Sequence, residues 1–204
     1  MPELHRLQLR LPVPDDGFEP VLTRFAGVLR GLGIWPAEVQ QAFAGFHLRP
    51  AADGCIYSTA AGLDYYFSPL FPAPLRPHVW VWNAAVVPEL PGIELDLALL
   101  VETAALTLIE HDRYHYRPGV QAAAQALARR LHAAFPQAGI YFTDEAQAGV
   151  DFDGLRYDDP AQLWQFDYAL LPPAVAARYP APPPTHRLDA GPAYAEAWYA
   201  ARWA

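Results

Sequence analysis

Apolar and polar residues alternate from Leu4 to Leu11, with Leu7, Leu9 and Leu11 on one side and Gln8 and Arg10 on the other. That is the pattern of a half-buried strand. Pro12 and Pro14 end it, and Asp15 or Asp16 is placed to cap a following helix. In that helix Phe18, Val21, Leu22, Phe25, Val28, Leu29 and Leu32 recur at three- and four-residue spacing, an apolar stripe closed by Gly31 and Gly33. Pro36, after Trp35, opens a short helical turn, since proline is well tolerated at the first helical position.

A strand-rich middle follows, with β-like segments near Phe46 to Arg49, Cys55 to Thr59 and Leu63 to Phe67. His78 to Val87 is apolar on both sides, which predicts a central strand covered on both faces, with Trp80 and Trp82 pointing the same way. Leu95 to about His111 reads as the longest helix, with Asp96, Thr103, Thr107 and Glu110 gathered into one polar stripe. A second long helix is expected from Pro118 to Ala134, with Val120, Ala124, Leu127 and Leu131 inward and Arg129, Arg130 and His132 near its C-terminal end.

Gly139 restarts the chain as a strand, Ile140 to Thr143. From Trp164 to Leu170 the alternation is the clearest in the chain: Trp164, Phe166, Tyr168 and Leu170 face the core, and Gln165, Asp167 and Ala169 face solvent. Prolines 172, 173, 180, 182, 183 and 184 then make an extended strap, and Tyr194, Trp198, Tyr199 and Trp203 suit a short aromatic helix docked on the body. The expected whole is a single α+β domain over residues 1–204. It has one antiparallel or mixed sheet with two long helices packed on it, and a Pro-rich C-terminal strap over 171–204.

Composition narrows the chemistry. A hydrophobic fraction of 53% with six Trp, eleven Tyr and ten Phe is ample for a core. All fourteen basic residues are Arg, so a P-loop lysine, the strand lysine of a protein kinase and a Schiff-base lysine are excluded. Neither Ser58 nor Ser68 lies in a Gly-x-Ser-x-Gly elbow. Cys55 is the only cysteine, which rules out an internal disulfide and Cys-rich metal sites and fits a reducing, cytoplasmic setting. No run reaches the ~20 apolar residues of a membrane span, and the N-terminus lacks a leader pattern. A net charge of −8 disfavours nucleic acid and favours a basic protein as partner.

Three groups of side chains carry candidate chemistry. His111 and His115 stand four apart with Asp112 between them, a spacing that on a helix could face one metal ion; a solvated helix end is the favoured alternative, so no metal or cofactor is expected. Glu102 falls on the apolar side of the predicted helix, where desolvation would raise its pKa. Asp144, Glu145, Asp151, Asp153, Asp158 and Asp159, set among Tyr141, Phe142, Phe152 and Tyr157, mix acids with aromatic anchors as interfaces do.

These groups give three functional expectations. The first is a non-enzymatic protein-binding module, an inhibitor or immunity-type protein. It would meet a basic toxin or nuclease through Asp144, Glu145, Asp151, Phe152, Asp153, Tyr157, Asp158 and Asp159. The second is a small hydrolase using Glu102, His111, Asp112 and His115. The third is a small-ligand-binding or scaffold domain with Trp80 and Trp82 beside a pocket.

Overall fold

A computed structural model describes residues 3–13, 17–46, 48–50, 56–58, 63–82, 92–110, 113–144 and 162–203. The elements run β1 (Leu4–Pro12), α1 (Glu19–Gly31), α2 (Ala37–Ala44), β2 (Leu48–Pro50), β3 (Ile56–Ser58), β4 (Arg76–Trp82), β5 (Glu94–Glu102), α3 (Thr103–Leu106), β6 (Thr107–Glu110), β7 (Arg113–Tyr116), α4 (Val120–Ala134), β8 (Ile140–Asp144), β9 (Tyr168–Leu171), α5 (Pro173–Ala176), β10 (His186–Ala190) and β11 (Ala195–Tyr199). Seven strands form one antiparallel sheet in the order β10-β11-β9-β8-β1-β5-β4; β2 pairs with β3 and β6 with β7 in two small hairpins.

The middle of the sheet has a recognisable logic. β1, α1 and β4 form one β-α-β unit, β5, α4 and β8 another, and each unit's parallel strands are separated by a strand of the other. This is the doubled split β-α-β arrangement. β9, β11 and β10 extend its β8 edge.

One face of the sheet carries Leu7, Leu9, Leu95, Leu97, Leu99, Val101, Ile140, Phe142, Tyr168 and Leu170. These pack in a single core with Val21, Leu22, Phe25 and Leu29 of α1 and Val120, Ala124, Leu127 and Leu131 of α4. The apolar stripes read from spacing in α1 and α4 are thus the stripes that meet the sheet, and Gly33, at φ +74°, turns the chain out of α1 as only glycine does without strain. The opposite face is divided. Over β8, β9 and β11 it is apolar, with Tyr141, Ala169, Leu171, Ala195 and Ala197 against Leu163, Trp164 and Phe166. Over β1, β5 and β4 it is polar and carries charges of both signs, Arg6, Arg10 and Arg76 with Glu94, Asp96 and Glu102.

Three expectations are corrected. The stretch from Leu95 is not a long helix: Glu94–Glu102 is the strand β5, hydrogen-bonded to β1 on one side and β4 on the other, followed by the single turn α3 and then β6. β4 is not central but the last strand of the sheet, with Trp80 46% exposed. The tail is not a helix: Ala195–Tyr199 is β11, sandwiched between β9 and β10. Trp80 and Trp82 do share a face, their rings meeting edge-on at 6.2 Å.

Candidate functional site

Two polar clusters stand out, on opposite faces of the same sheet. The first lies at one end of the helix-covered face. The β1–β8 register sets His5 opposite Asp144; Asp167 immediately precedes β9, Tyr116 closes β7, and Arg202 follows β11. His5 Nε2 lies 3.0 Å from the Tyr116 hydroxyl and its Nδ1 2.9 Å from Thr103 Oγ1. Tyr116 donates its hydroxyl hydrogen to Asp167. Its oxygen therefore accepts from His5 Nε2–H, which leaves Nδ1 to accept from the Thr103 hydroxyl.

Arg202 Nη1 bridges two carboxylates, 3.3 Å from Asp167 and 3.5 Å from Asp144. Beside it the Trp203 ring stacks on Tyr168 at 5.0 Å, and the Gln121 side chain donates to the Arg202 carbonyl at 2.8 Å. Burial pushes the Asp167 carboxyl up to about 6, against the pull of Arg202 and Tyr116. It pushes His5 down to about 4, opposed by Asp144 and helped by Arg202. Histidine, carboxylate and phenol are acid–base groups, but His5 and Asp167 are each 0% exposed. A substrate needs a path to the reacting atoms. What this arrangement does is tie the C-terminal tail to the ends of β1, β8 and β9.

The second cluster is the polar half of the other face. Register places the side chains in rows across β1, β5 and β4: Arg6, Leu100, Arg76; Gln8, Ala98, His78; Arg10, Asp96, Trp80; and then Glu94 beside Trp82. Adjacent strands are about 4.8 Å apart and successive rows about 7 Å, so the set spans a few square nanometres at most. Ala98, the smallest residue, sits at its centre.

Arg10 reaches Asp96 at 3.4 Å and Glu94 at 3.9 Å and lies 4.5 Å from the centre of the Trp82 ring; Arg6 lies 5.8 Å from that of Trp80. His78 meets Trp80 edge-on at 4.6 Å. Gln8 is tied to Thr143 at 2.9 Å. Burial, then Arg76 and Arg6, press His78 down to about 4, so it is neutral near pH 7. Burial raises the Asp96 carboxyl, against Arg10, Arg6 and Trp82, which hold it down.

Unlike the first cluster, this one does not satisfy itself. Arg10 Nε and Nη1, Arg76 Nε, His78 Nε2, Trp82 Nε1 and Asp96 Oδ1 are all buried and make no hydrogen bond. Buried polar atoms in folded proteins are almost always paired, and each unpaired one costs about 1–3 kcal/mol. No carboxylate of the described residues reaches Arg76 within ion-pair distance.

The residues singled out from sequence are scattered. Glu102 ends β5 and is exposed, not turned into a core, because the strand places its side chain differently from the helix it was read on. His115 is exposed on β7, where it pairs across the hairpin with Leu108, so no helix aligns it with His111; His111 and Asp112 lie outside the described residues. Among the described residues no three His, Cys, Asp or Glu side chains are grouped to hold a metal ion. Asp144 is buried against Arg202 rather than offered to a partner. Glu145, Asp151, Phe152, Asp153, Tyr157, Asp158 and Asp159 lie outside the described residues, as does Cys55.

Asp167, placed by alternation on a solvent face, is fully buried, because β9 starts only at Tyr168 and is covered on both sides. The residues that sequence reasoning missed are His5, Tyr116 and Arg202 in one cluster and Arg6, Arg10, Arg76 and His78 in the other. The second was partly readable: Arg6, Gln8 and Arg10 alternate with leucines, and His78, Trp80 and Trp82 alternate with valines.

The topology defines an α+β protein of doubled split β-α-β type, a class that hosts unrelated functions. Comparison with family models, with curated proteins and with solved structures finds no match to this chain. Among the described residues no helix is long and apolar enough to cross a membrane.

Proposed function

We propose that this chain is a ligand-binding protein, and that its site is the charged, aromatic half-face formed by β1, β5 and β4. The ligand is a small anion-bearing molecule. The observation that carries this reading is the set of buried, unbonded polar atoms on Arg10, Arg76, His78, Trp82 and Asp96. A fold retains buried donors only at a cost, and unbonded donors on neighbouring strands beside Arg76, which no carboxylate of the described residues reaches, suit a negatively charged guest. Of the three expectations from sequence, this is the one in which Trp80 and Trp82 flank the site.

The protein-binding reading, with a basic partner meeting an acidic surface, keeps the net charge of −8 as its support. It loses Asp144, which is turned inward. The hydrolase reading has Glu102 and His115 exposed on separate elements.

The test is thermal melting with sodium acetate and sodium phosphate against sodium chloride at equal ionic strength. A bound ligand raises the melting temperature by mass action. Acetate or phosphate should stabilise the protein beyond the chloride control, and Arg76→Gln should remove the difference. Equal melting in all three salts, or an unchanged response in Arg76→Gln, overturns the proposal.

A further inference from the structure

The sheet ends, on the side away from β4, in the strand β10, and no described element pairs with the outer side of that strand. Its free backbone groups can be assigned from the bonds that flank the β10–β11 ladder. Gly191 donates its N–H to the Tyr194 carbonyl at 3.0 Å, and Ala200 donates to that of Thr185 at 2.8 Å. Bonded pairs alternate along an antiparallel ladder, so Arg187 with Trp198 and Asp189 with Glu196 are the bonded pairs between them. The N–H and C=O groups of His186, Leu188 and Ala190 therefore point away from the sheet. Of these, among the described residues, only the His186 N–H is engaged, by the Pro183 carbonyl at 2.9 Å.

The side chains of β10 are patterned as well. Leu188 closes a row that runs Tyr141, Ala169, Ala197 across the sheet; those three are buried, and Leu188 is 43% exposed. Arg187 and Asp189 lie on the other side of the strand, both exposed and in no ion pair among the described residues. Asp189 stands opposite Glu196, a like charge. Sheet edges that are kept from pairing carry proline, a bulge or inward-pointing charge. The far end strand, β4, contains Pro77; β10 has no proline, and its residues pair with β11 in unbroken register.

We propose that β10 docks a second copy of this chain, strand to strand and antiparallel, about a two-fold axis at Leu188. The register is self-complementary. Each Leu188 exchanges both free backbone bonds with its counterpart, and each Ala190 N–H meets the His186 carbonyl of the other copy. Between these bonded pairs every Arg187 stands across from an Asp189 in a non-hydrogen-bonded pair, where side chains come closest. Asp189 thus gains a cation on the side away from Glu196, and the two apolar rows join through the paired leucines. Five residues a side is small against the roughly 20–30 of a standard interface, so the dimer is weak and concentration-dependent. Because β10 and β4 are opposite ends of the sheet, pairing here leaves the half-face of β1, β5 and β4 open.

Sedimentation equilibrium of the full chain from micromolar to millimolar concentration tests the assignment, and a reversible monomer–dimer equilibrium is expected. Arg187→Asp sets two aspartates against each other on both sides of the axis, and Asp189→Arg does the same with arginines. Each should weaken self-association by about tenfold. Both positions are exposed, so the fold should tolerate either change. An equimolar mixture of the two variants should recover the dimer, since a mixed pair places only opposite charges across the axis. A structural defect in either variant would not be repaired by mixing. A chain that stays monomeric throughout, a dimer indifferent to both substitutions, or a mixture no more dimeric than its components overturns the proposal.

Discussion

At one end of the sheet His5, Tyr116, Asp167, Arg202 and Asp144 bond to one another. Across the sheet Arg10, Arg76, His78, Trp82 and Asp96 leave six buried polar atoms without a hydrogen bond. The ingredients are the same: a histidine pressed to about 4 by burial, arginine, aspartate and large aromatic rings. The difference is who supplies the partners. In the first cluster every group is matched by another strand or by the tail, so its energy goes into holding chain segments together. In the second, Arg10 reaches Asp96 and Glu94, but the pairing is partial and Arg76 and His78 find no acceptor for their buried nitrogens among the described residues. Polar burial alone therefore marks neither cluster as functional; the unpaired remainder distinguishes them.

The sharpest way to break this contrast is to remove a partner from the closed cluster. Asp167→Ala leaves Arg202 and Tyr116 without their shared acceptor, and should cost about 3–5 kcal/mol in urea unfolding. Stabilisation by acetate or phosphate over chloride should survive in the fraction that remains folded. Arg202→Gln keeps some hydrogen bonding and should cost less, about 1–3 kcal/mol, with a rise in proteolytic release of the C-terminal tail as a second readout. If both substitutions are neutral, the cluster is not what fastens the tail.

Acid sharpens the comparison further. His5 and His78 fall from the usual 6.5 to about 4 on folding, so the unfolded chain takes up their protons first. Their contribution is present above pH 6.5 and lost as pH falls toward 4; His132 and His186, also lowered by burial, act in the same direction. Asp167 acts oppositely. Raised from 3.8 to about 6, it holds its proton more tightly in the fold, so acidification through that range favours the folded state, and Asp96 shares the sign. Histidines outnumber the raised acids, so unfolding measured at pH 7 and pH 5 should show a net loss. The loss should be steeper in Asp167→Asn, which removes the compensating carboxyl; a shallower one would contradict the balance.

The smallest effect is expected from the open cluster. Arg76→Gln deletes a cation with no carboxylate partner among the described residues and a buried unbonded nitrogen, so it should cause no loss of stability and a gain of up to about 1 kcal/mol. If it destabilises as much as Arg202→Gln, the second cluster is as structural as the first.

Much of the architecture was readable because it depends on local period. The alternation of Leu7, Leu9 and Leu11, the stripes of α1 and α4, and the strand at Ile140 all appear where the spacing puts them. β5 was misread for a physical reason. Glu-Leu-Asp-Leu-Ala-Leu-Leu-Val-Glu is rich in good helix formers, and a dense apolar run fits either period. What made it a strand is pairing to β1 and β4 on both sides, which no local window contains. β4 was misplaced for the converse reason: an apolar run suggests cover on both faces, but Trp80 is half exposed at the sheet edge. The candidate site was less legible than the fold. Glu102 was conspicuous only on a helix that does not form, and Asp167 was assigned to solvent by an alternation that stops one residue short of it.

By itself, then, the sequence determined which chemistries are unavailable, through its missing lysine, its unsuitable serines and its single cysteine, and it determined the apolar faces of the regular elements, because those follow from residue type and spacing. Only the tertiary structure decided which polar residues meet. His5 and Asp167 are 162 positions apart, with their side-chain atoms 3.9 Å from each other, and Arg6 and Arg76 share a face two strands apart. Such encounters are set by strand order and register, which long-range pairing fixes and local propensity does not.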